Sequence, residues 1–273
     1  MSAKGAGPYA ALLLAEYGAD VVRIARPGRS YPAKARFATL ERSRPLVELD
    51  VKNENDRCKL LSLISEADVF IEGFRPGVME RLQIGPDQRF AVNRKIVYAR
   101  MTGWGQTGSL SQKAGHDLNF LAMSGALSTF GSKDRDPAIP LNLVADFAGG
   151  SLFLVIGILL SLRVAQATGQ GQVVDAAMLD GVASLMTATA GIRARGDRVD
   201  ERQSNFLDGG APFYRTYKTS DGRYVAIGAI EPEFWTRFLN KLGMTDSVGP
   251  QWDRAHWPDW SPRRGRCWPS FDL

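Results

Sequence analysis

Short β-branched runs alternate with amphipathic stretches between residues 19 and 101, and this alternation limits the fold more than any other feature. Helices are predicted over about 54–66 and 77–82. Strands are predicted at 19–25 (ADVVRIA), 45–51 (PLVELDV), 67–74 (ADVFIEGF) and 95–101 (KIVYARM). Because this βαβ rhythm builds parallel sheets covered by helices, we expect an α/β fold, with a large domain in which helices flank a parallel, Rossmann-like sheet.

Helical patterns dominate the middle of the chain. The clearest lie at 117–129, 149–167 and 178–190, with one further strand predicted at 172–177. The run at 149–162 carries no charge but is too short to span a bilayer. We therefore interpret it as a buried core helix and predict no membrane insertion.

The pattern changes again after a polar loop. Strand-like runs at 212–219 and 223–230 flank Ser220–Gly222, a turn sequence typical of hairpins, and a helix is predicted over 231–242. The last residues hold four of the six tryptophans without strand or helix periodicity. We predict a large domain over 1–195, the start of a smaller, incomplete α+β domain at 205–250, and an atypical tail at 251–273 outside the fold.

Composition excludes several classes of protein. The two cysteines cannot form a disulfide framework, so a reducing, cytoplasmic location is expected. No Cys and His cluster has the spacing of a metal site, and no GxGxxG or Walker motif is present. The net charge of +5 suits either a phosphate-bearing ligand or an ordinary solvated basic face. Because Lys and Arg are dispersed without a basic run, we predict no nucleic-acid partner.

Two residues between Gly103 and Gly150, His116 and Asp146, are candidate proton-transfer groups. His116 has an intrinsic pKa suited to acid or base, although the residue taken alone is more typical of a core histidine satisfied by one hydrogen bond. Asp146 lies inside an apolar run, where an ionised carboxylate needs hydrogen bonds or a raised pKa. The alternative for Asp146 is an N-cap of the following helix, and the two roles are compatible.

Six motifs together resemble a known family. They are YARMTGWGQTG (98–108), AGHDLNFLAMSG (114–125), PLNLVADFAGG (140–150), GQGQVVDAAMLDG (169–181), LDGGAPFYRTY (207–217) and GAIEPEFW (228–235). The chain resembles the family III CoA-transferase (CaiB/BaiF-like) superfamily from about residue 7 to 258, and within it the α-methylacyl-CoA racemases. That family opens with a strand that residues 1–6 are too short to supply, and it continues beyond the small domain. We therefore expect a chain truncated at both ends.

The resemblance implies racemisation of 2-methylacyl-CoA thioesters by 1,1-proton transfer through an enolate. His116 paired with Glu231 would act on one face of the α-carbon, and Asp146 on the other. The backbone N–H of Asp117 would bind the enolate oxygen, and Asn142 would hold His116 or the ligand. From the residues alone, Glu231 is also an ordinary first-turn acid of a helix. No cofactor is expected other than coenzyme A as part of the substrate, and the protein would form an interlocked homodimer.

Further positions follow from the same resemblance. Arg81 would lie near the reacting group, although by itself it is more typical of a surface helix charge. The CoA moiety would be bound after the strand ends, where Arg and Lys suit phosphate and solvated surface charges are the alternative. These residues are Arg26, Lys52, Gly73, Phe74 and Arg75.

Two other functions stay open. A CoA-transferase of the same superfamily would use Asp146 as a nucleophile and form an acyl anhydride, although family transferases generally lack a histidine at position 116. A truncated chain could also bind CoA without turning it over.

Overall fold

The computed structural model describes residues 1, 5–28, 38–219, 221–244 and 249–260. Contacts between Cα atoms divide the chain into two units, which are described separately. The first unit contains residues 1–126 and 140–187. The second contains residues 127–139 and what the structure describes from 188 onward.

Parallel strands form the centre of the first unit, as the βαβ rhythm predicts. Strands β1 (Arg23–Ala25) and β2 (Leu46–Glu48) pair in parallel. Strands β3 (Val69–Glu72), β4 (Val97–Thr102) and β5 (Val173–Ala177) form a second parallel sheet in the order β3-β4-β5. The predicted α/β fold with parallel sheets flanked by helices is confirmed, although each strand is shorter than the apolar run that predicted it.

Helices cover both faces of the β3-β4-β5 sheet. The helices of this unit are α1 (Ala6–Glu16), α2 (Glu54–Glu66), α3 (Val78–Arg81), α4 (Pro86–Val92), α5 (Asp117–Met123), a π-helix (Leu143–Leu152), α6 (Phe153–Thr168) and α7 (Met178–Leu185). Helix α8 (Thr187–Ala194) belongs to the second unit from its second residue onward. Short 3₁₀ turns occur at Ala38–Glu41, Ala126–Thr129 and Arg254–Trp260.

Strand β4 is wholly buried and separates two apolar clusters. Alternate residues of a strand point to opposite faces. Tyr98 therefore packs with the layer formed by α2, α3 and α4, whereas Ala99 packs with α1 and α6. The loops that follow β3 and β4 therefore begin between these two helical layers.

Local sequence accounts for α2 in full, and its observed bounds match the predicted 54–66. The side chain of Asn53 accepts hydrogen bonds from the N–H groups of Asn55 and Asp56, which have no partner inside the helix. Leu60 and Ile64, four residues apart, bury the inner face of the helix.

The helix predicted at 149–167 differs most from expectation. It starts at Leu143 as the π-helix and continues through α6, so the apolar segment has 26 residues. Among the described residues, this segment alone is long and apolar enough to cross a membrane by length and composition. The expectation that it is too short was therefore wrong. Only one face is buried, at Leu154 and Ile158, while Ile156 and Leu160 are exposed.

The second unit contains the predicted hairpin. Strands β6 (Tyr214–Lys218) and β7 (Tyr224–Gly228) pair antiparallel, with Tyr214 opposite Gly228. Ser220 of the predicted turn lies outside the described residues. Helix α9 (Pro232–Lys241) follows, with Glu231 as its N-cap residue.

Two boundaries differ from the predicted ones. Residues 127–139 belong with the second unit, where Arg202 donates hydrogen bonds to the carbonyl oxygens of Ser132 and Arg135. Trp257, predicted to lie in a tail outside the fold, is 6% exposed and stacks edge-on against Phe213 at 5.8 Å. The prediction for the tail is therefore wrong up to this residue, and residues 261–273 lie outside the described part.

Candidate active site

Asp146 is the fourth residue of the π-helix. Asn142 takes the N-cap position, so the interpretation of Asp146 as an N-cap is wrong. The cause is that the helix begins earlier than the glycines at 149 and 150 suggested. Those glycines instead let the π-helix approach α7 closely, because a Cβ at Gly149 would lie 2.9 Å from the backbone nitrogen of Val182.

The Asp146 carboxylate is half-buried. Its Oδ2 accepts a hydrogen bond from the amide of Asn142 at 3.2 Å. Burial raises the pKa of Asp146 above the ordinary aspartate value, and the nearby charge of Asp117 adds to the rise. The hydrogen bond from Asn142 and a charged His116 lower this pKa. Asn142, predicted to hold His116 or the ligand, therefore holds Asp146 in this structure.

Gly5 supplies part of the wall around this carboxylate. It has a φ of +67°, which favours glycine, and a Cβ at this position would lie 2.8 Å from Oδ2 of Asp146. Gly5 is the N-cap of α1, so the positive end of that helix dipole faces the acid. Sequence reasoning missed Gly5, since a glycine before a helix is common.

His116 begins α5 as its N-cap residue. Its backbone N–H donates to Oδ1 of Asn119 at 3.0 Å, which fixes the main chain. The residue is exposed, so it is not a histidine satisfied inside the core. His116 and Asp146 come from different helices of one unit and lie within electrostatic range of each other.

Asp117 follows as the first residue of α5 and offers two groups. Its backbone N–H has no partner inside the helix, which fits the predicted oxyanion donor. Its side chain is 6% exposed, and Oδ2 accepts the N–H groups of Ala145 at 2.7 Å and Asp146 at 2.8 Å. This link between the two helices was not predicted.

The glycine-rich motif at 103–108 packs beside His116. The Trp104 ring meets Phe120 of α5 edge-on, with the ring centroids 4.7 Å apart. A Cβ at Gly103 would overlap the Phe120 ring, and one at Gly115 would lie 2.8 Å from the Trp104 ring. The glycines thus allow the loop after β4 and the start of α5 to touch.

Two of the predicted CoA-binding residues share one acidic neighbour. Arg26 follows β1 and forms an ion pair with Asp50 at 3.6 Å. Lys52 follows β2, and its backbone N–H donates to Oδ1 of Asp50 at 3.2 Å. Both Arg26 and Lys52 are exposed. The parallel pairing of β1 and β2 therefore brings these cations to the same sheet edge.

The loop after β3 is held from beneath. The N–H of Phe74 donates to Oε2 of Glu72 at 2.7 Å, and Oε1 of Glu72 pairs with Arg100 of β4 at 2.9 Å. This arrangement positions the backbone of Gly73 and Phe74 while Arg75 stays exposed. Arg81, at the end of α3, is exposed as well, and it forms no hydrogen bond with His116 or Asp146.

Glu231 belongs to the second unit, where it is exposed at the start of α9. Its predicted pairing with His116 joins residues of different units and stays a prediction. Within the described residues, no group of three or more His, Cys, Asp or Glu side chains could hold a metal ion.

Known proteins resemble this chain over most of its length. Alpha-methylacyl-CoA racemase of Homo sapiens is 42% identical over 260 residues, which are 95% of this chain and 67% of the relative. The Mus musculus protein of that name is 43% identical over 93% of this chain and 65% of its own length. Succinyl-CoA--D-citramalate CoA-transferase of Chloroflexus aurantiacus is 31% identical over 88% of this chain and 62% of its length. The chain thus spans about two thirds of the relatives' length.

Solved structures give the same picture. A CAIB/BAIF family protein from Brucella suis superposes with a TM-score of 0.76 at 26% identity, over 90% of this chain and 68% of the other. Rv3272 from Mycobacterium tuberculosis gives 0.74 at 29% identity, over 90% of this chain and 66% of the other. The sequence profile described as CoA-transferase family III matches residues 1–257. The chain therefore belongs to CoA-transferase family III.

Proposed function

We propose that the protein racemises 2-methylacyl-CoA thioesters by 1,1-proton transfer at the α-carbon. The observation that carries the proposal is the proximity of an exposed imidazole, His116, to a half-buried carboxyl, Asp146, whose pKa is raised by burial. Proton-transfer groups are most effective when their pKa lies near the working pH. The relatives at 42% and 43% identity, both named alpha-methylacyl-CoA racemase, support the same reaction.

The reaction needs one base and one acid on opposite sides of a weakly acidic carbon. The basic partner, His116 or Asp146, takes the α-proton, and the electron pair of the C–H bond moves onto the thioester oxygen. The Asp117 N–H at the start of α5 would stabilise that enolate oxygen. The acidic partner then delivers a proton to the other face, which leaves the two groups with exchanged protonation states.

The remaining features of this proposal concern the substrate and its surroundings. The CoA moiety is the anionic ligand, and the loops that bear Arg26, Lys52 and Arg75 would bind it. Arg81 is proposed to lie near the acyl group, and Glu231 to orient His116. We propose that the reaction needs no cofactor beyond the CoA of the substrate, in a cytoplasmic homodimer without nucleic-acid or membrane partners.

Deuterium incorporation tests the proposal directly. The protein is incubated in D2O with a 2-methylacyl-CoA of defined configuration and no acceptor acid. We expect α-deuteration together with loss of optical purity, and loss of both in His116→Ala and Asp146→Ala. Asp20→Asn, at an exposed aspartate, is the matched control and should exchange at the wild-type rate. Undiminished exchange in both active-site variants would disprove the assignment.

CoA transfer is the second candidate, because a relative at 31% identity is a CoA-transferase. Asp146 would then attack the thioester carbonyl, form a mixed anhydride and release CoA as the thiolate. Hydroxylamine would convert that anhydride to a hydroxamate and inactivate the protein only when acyl-CoA is present. Trapping of Asp146, combined with acyl transfer to an added acid and no exchange without it, would replace racemisation with transfer.

A further inference from the structure

The Asp117 side chain connects two helices that the sequence separates widely. Asp117 lies on α5, and the N–H groups that it accepts belong to Ala145 and Asp146 in the first turn of the π-helix. The first N–H groups of any helix lack partners within it. Asp117 therefore supplies a cap from a distance of 28 and 29 residues along the chain.

The charge of Asp117 is not needed for those two bonds. An asparagine side-chain oxygen could accept them without the cost of burying a carboxylate. In the described part of the chain, Asp117 accepts hydrogen bonds from backbone N–H groups alone, and its Oδ1 is buried without a hydrogen-bond partner. The negative charge acts on a titratable neighbour, Asp146.

We infer that the Asp117 carboxylate is a positioning residue for Asp146: its two hydrogen bonds hold the π-helix turn that carries Asp146, and its negative charge acts on the Asp146 carboxyl. The nearby charge of Asp117 adds to the rise in the pKa of Asp146 that burial causes. The inference rests on the proposed function, since it explains how Asp146 is made ready to give a proton. It concerns the side chain of Asp117, separately from the N–H of that residue.

The groups that face Asp146 are few. Helix α5 presents Asp117 and His116, the π-helix itself presents Asn142, and α1 presents Gly5. Helix α7 touches the π-helix through backbone at Gly181 and Val182. Asp117 is therefore the one negative neighbour described here that acts on the Asp146 carboxyl.

Two substitutions distinguish the effect of the Asp117 hydrogen bonds from the effect of its charge. Asp117→Asn keeps an acceptor for the N–H groups and removes the charge, so the pKa of Asp146 should fall while both amides stay protected. Asp117→Ala removes both, so hydrogen exchange of the Ala145 and Asp146 amides should speed up about 10- to 100-fold. In turnover, we expect kcat to fall in Asp117→Ala with little change in KM, and the acid limb of the pH–rate profile to move to lower pH in Asp117→Asn.

The two decisive measurements need no turnover. They are NMR titration of the Asp146 carboxyl carbon and site-resolved amide exchange at residues 145 and 146, so failure of racemisation is distinguishable from failure of this inference. Asp87→Asn, an exposed acid in the first turn of α4, is the control and should change neither readout. An Asp146 titration in Asp117→Asn that matches wild type would overturn the inference. This titration uses Asp117→Asn alone, so it still tests the inference if Asp117→Ala does not fold.

Discussion

Glu72 and Asp117 are both buried carboxylates of the first unit, with opposite surroundings. Glu72 is 1% exposed and bonds the guanidinium of Arg100, which also pairs with Glu80 at 2.9 Å and lies over the Tyr98 ring. Asp117 is 6% exposed, receives only backbone N–H groups, and has another acid, Asp146, as its neighbour.

This contrast distinguishes a carboxylate that stabilises the fold from a carboxyl suited to proton transfer. Beside Glu72 the charge is compensated in place, and the pair fixes the loop after β3. Burial still raises the pKa of Glu72, although the Phe74 N–H and Arg100 oppose the rise. Among the described residues, no Lys or Arg pairs with Asp117 or Asp146, and burial raises the pKa of Asp146, so a proton can neutralise this carboxyl. A group that gains and loses a proton easily is suited to acid–base work.

The largest expected effect concerns turnover. Asp146→Asn should lower α-proton exchange about 10²- to 10⁴-fold, because the amide neither takes nor gives the proton. Deuterium incorporation measures the loss. If Asp146→Asn also lowered the free energy of unfolding as much as loss of the Glu72–Arg100 pair, the distinction between a catalytic and a structural region would be wrong.

Next in size is the loss of Arg100. Arg100→Met should lower the free energy of unfolding by about 3–5 kcal/mol, because it leaves the buried Glu72 charge uncompensated. Urea unfolding measures the change. Arg195→Met, at the exposed pair with Asp197, is the control and should cost under about 1 kcal/mol. Equal losses in the two variants would show that burial does not distinguish them.

A packing change comes third. A Cβ at Gly181 would overlap the carbonyl oxygen of Gly149, so Gly181→Ala should push α7 away from the π-helix and cost about 1–3 kcal/mol. Gly191→Ala, on α8 with open space around it, should instead stabilise by about 0.4–1 kcal/mol. Thermal unfolding of the two variants gives the comparison, which fails if both change in the same direction.

The dependence of stability on pH gives a smaller effect with a definite sign. The pKa of Asp146 is raised in the folded protein, so its contribution is full below the ordinary aspartate pKa. That contribution is lost as pH rises through the raised value. Unfolding free energies of wild type and Asp146→Asn, measured from acid to neutral pH, should therefore diverge in favour of the variant. Parallel curves would contradict the raised pKa.

The smallest effect concerns the exposed arginine Arg26. Arg26→Ala removes the partner of Asp50 and should change the free energy of unfolding by less than about 1 kcal/mol. If Arg26 binds a CoA phosphate, the same variant should weaken CoA binding, and the remaining affinity should depend less on salt. Calorimetric titration with CoA at two ionic strengths measures both.

Elements governed by neighbours in sequence were predictable. The Asn53 cap and the spacing of Leu60 and Ile64 define α2, and the parallel sheets follow from the βαβ rhythm. His116 and Asp146 could be selected because polar groups in an apolar, glycine-rich region are uncommon. Their placement in one site was expected from the resemblance, and in the fold they lie within electrostatic range of each other.

Features that depend on distant partners were not predictable. The role of the Asp117 side chain rests on contacts 28 and 29 residues away, which no local pattern encodes. The burial of Trp257 depends on Phe213, a residue of the same unit far back in the chain. The winding of the π-helix could not be predicted either, because the apolar pattern at 143–152 does not distinguish hydrogen bonds between residues four apart from hydrogen bonds between residues five apart.

That winding has a consequence for how the protein can lose activity. Successive residues of an α-helix are separated by about 100° of rotation. Removal of one residue between Asp146 and the end of the π-helix would let the segment rewind as α-helix and would turn the acid away from its present direction relative to α6. Composition, charge and hydropathy would barely change. Relatives could therefore keep every functional side chain and still differ in activity through a single-residue gap.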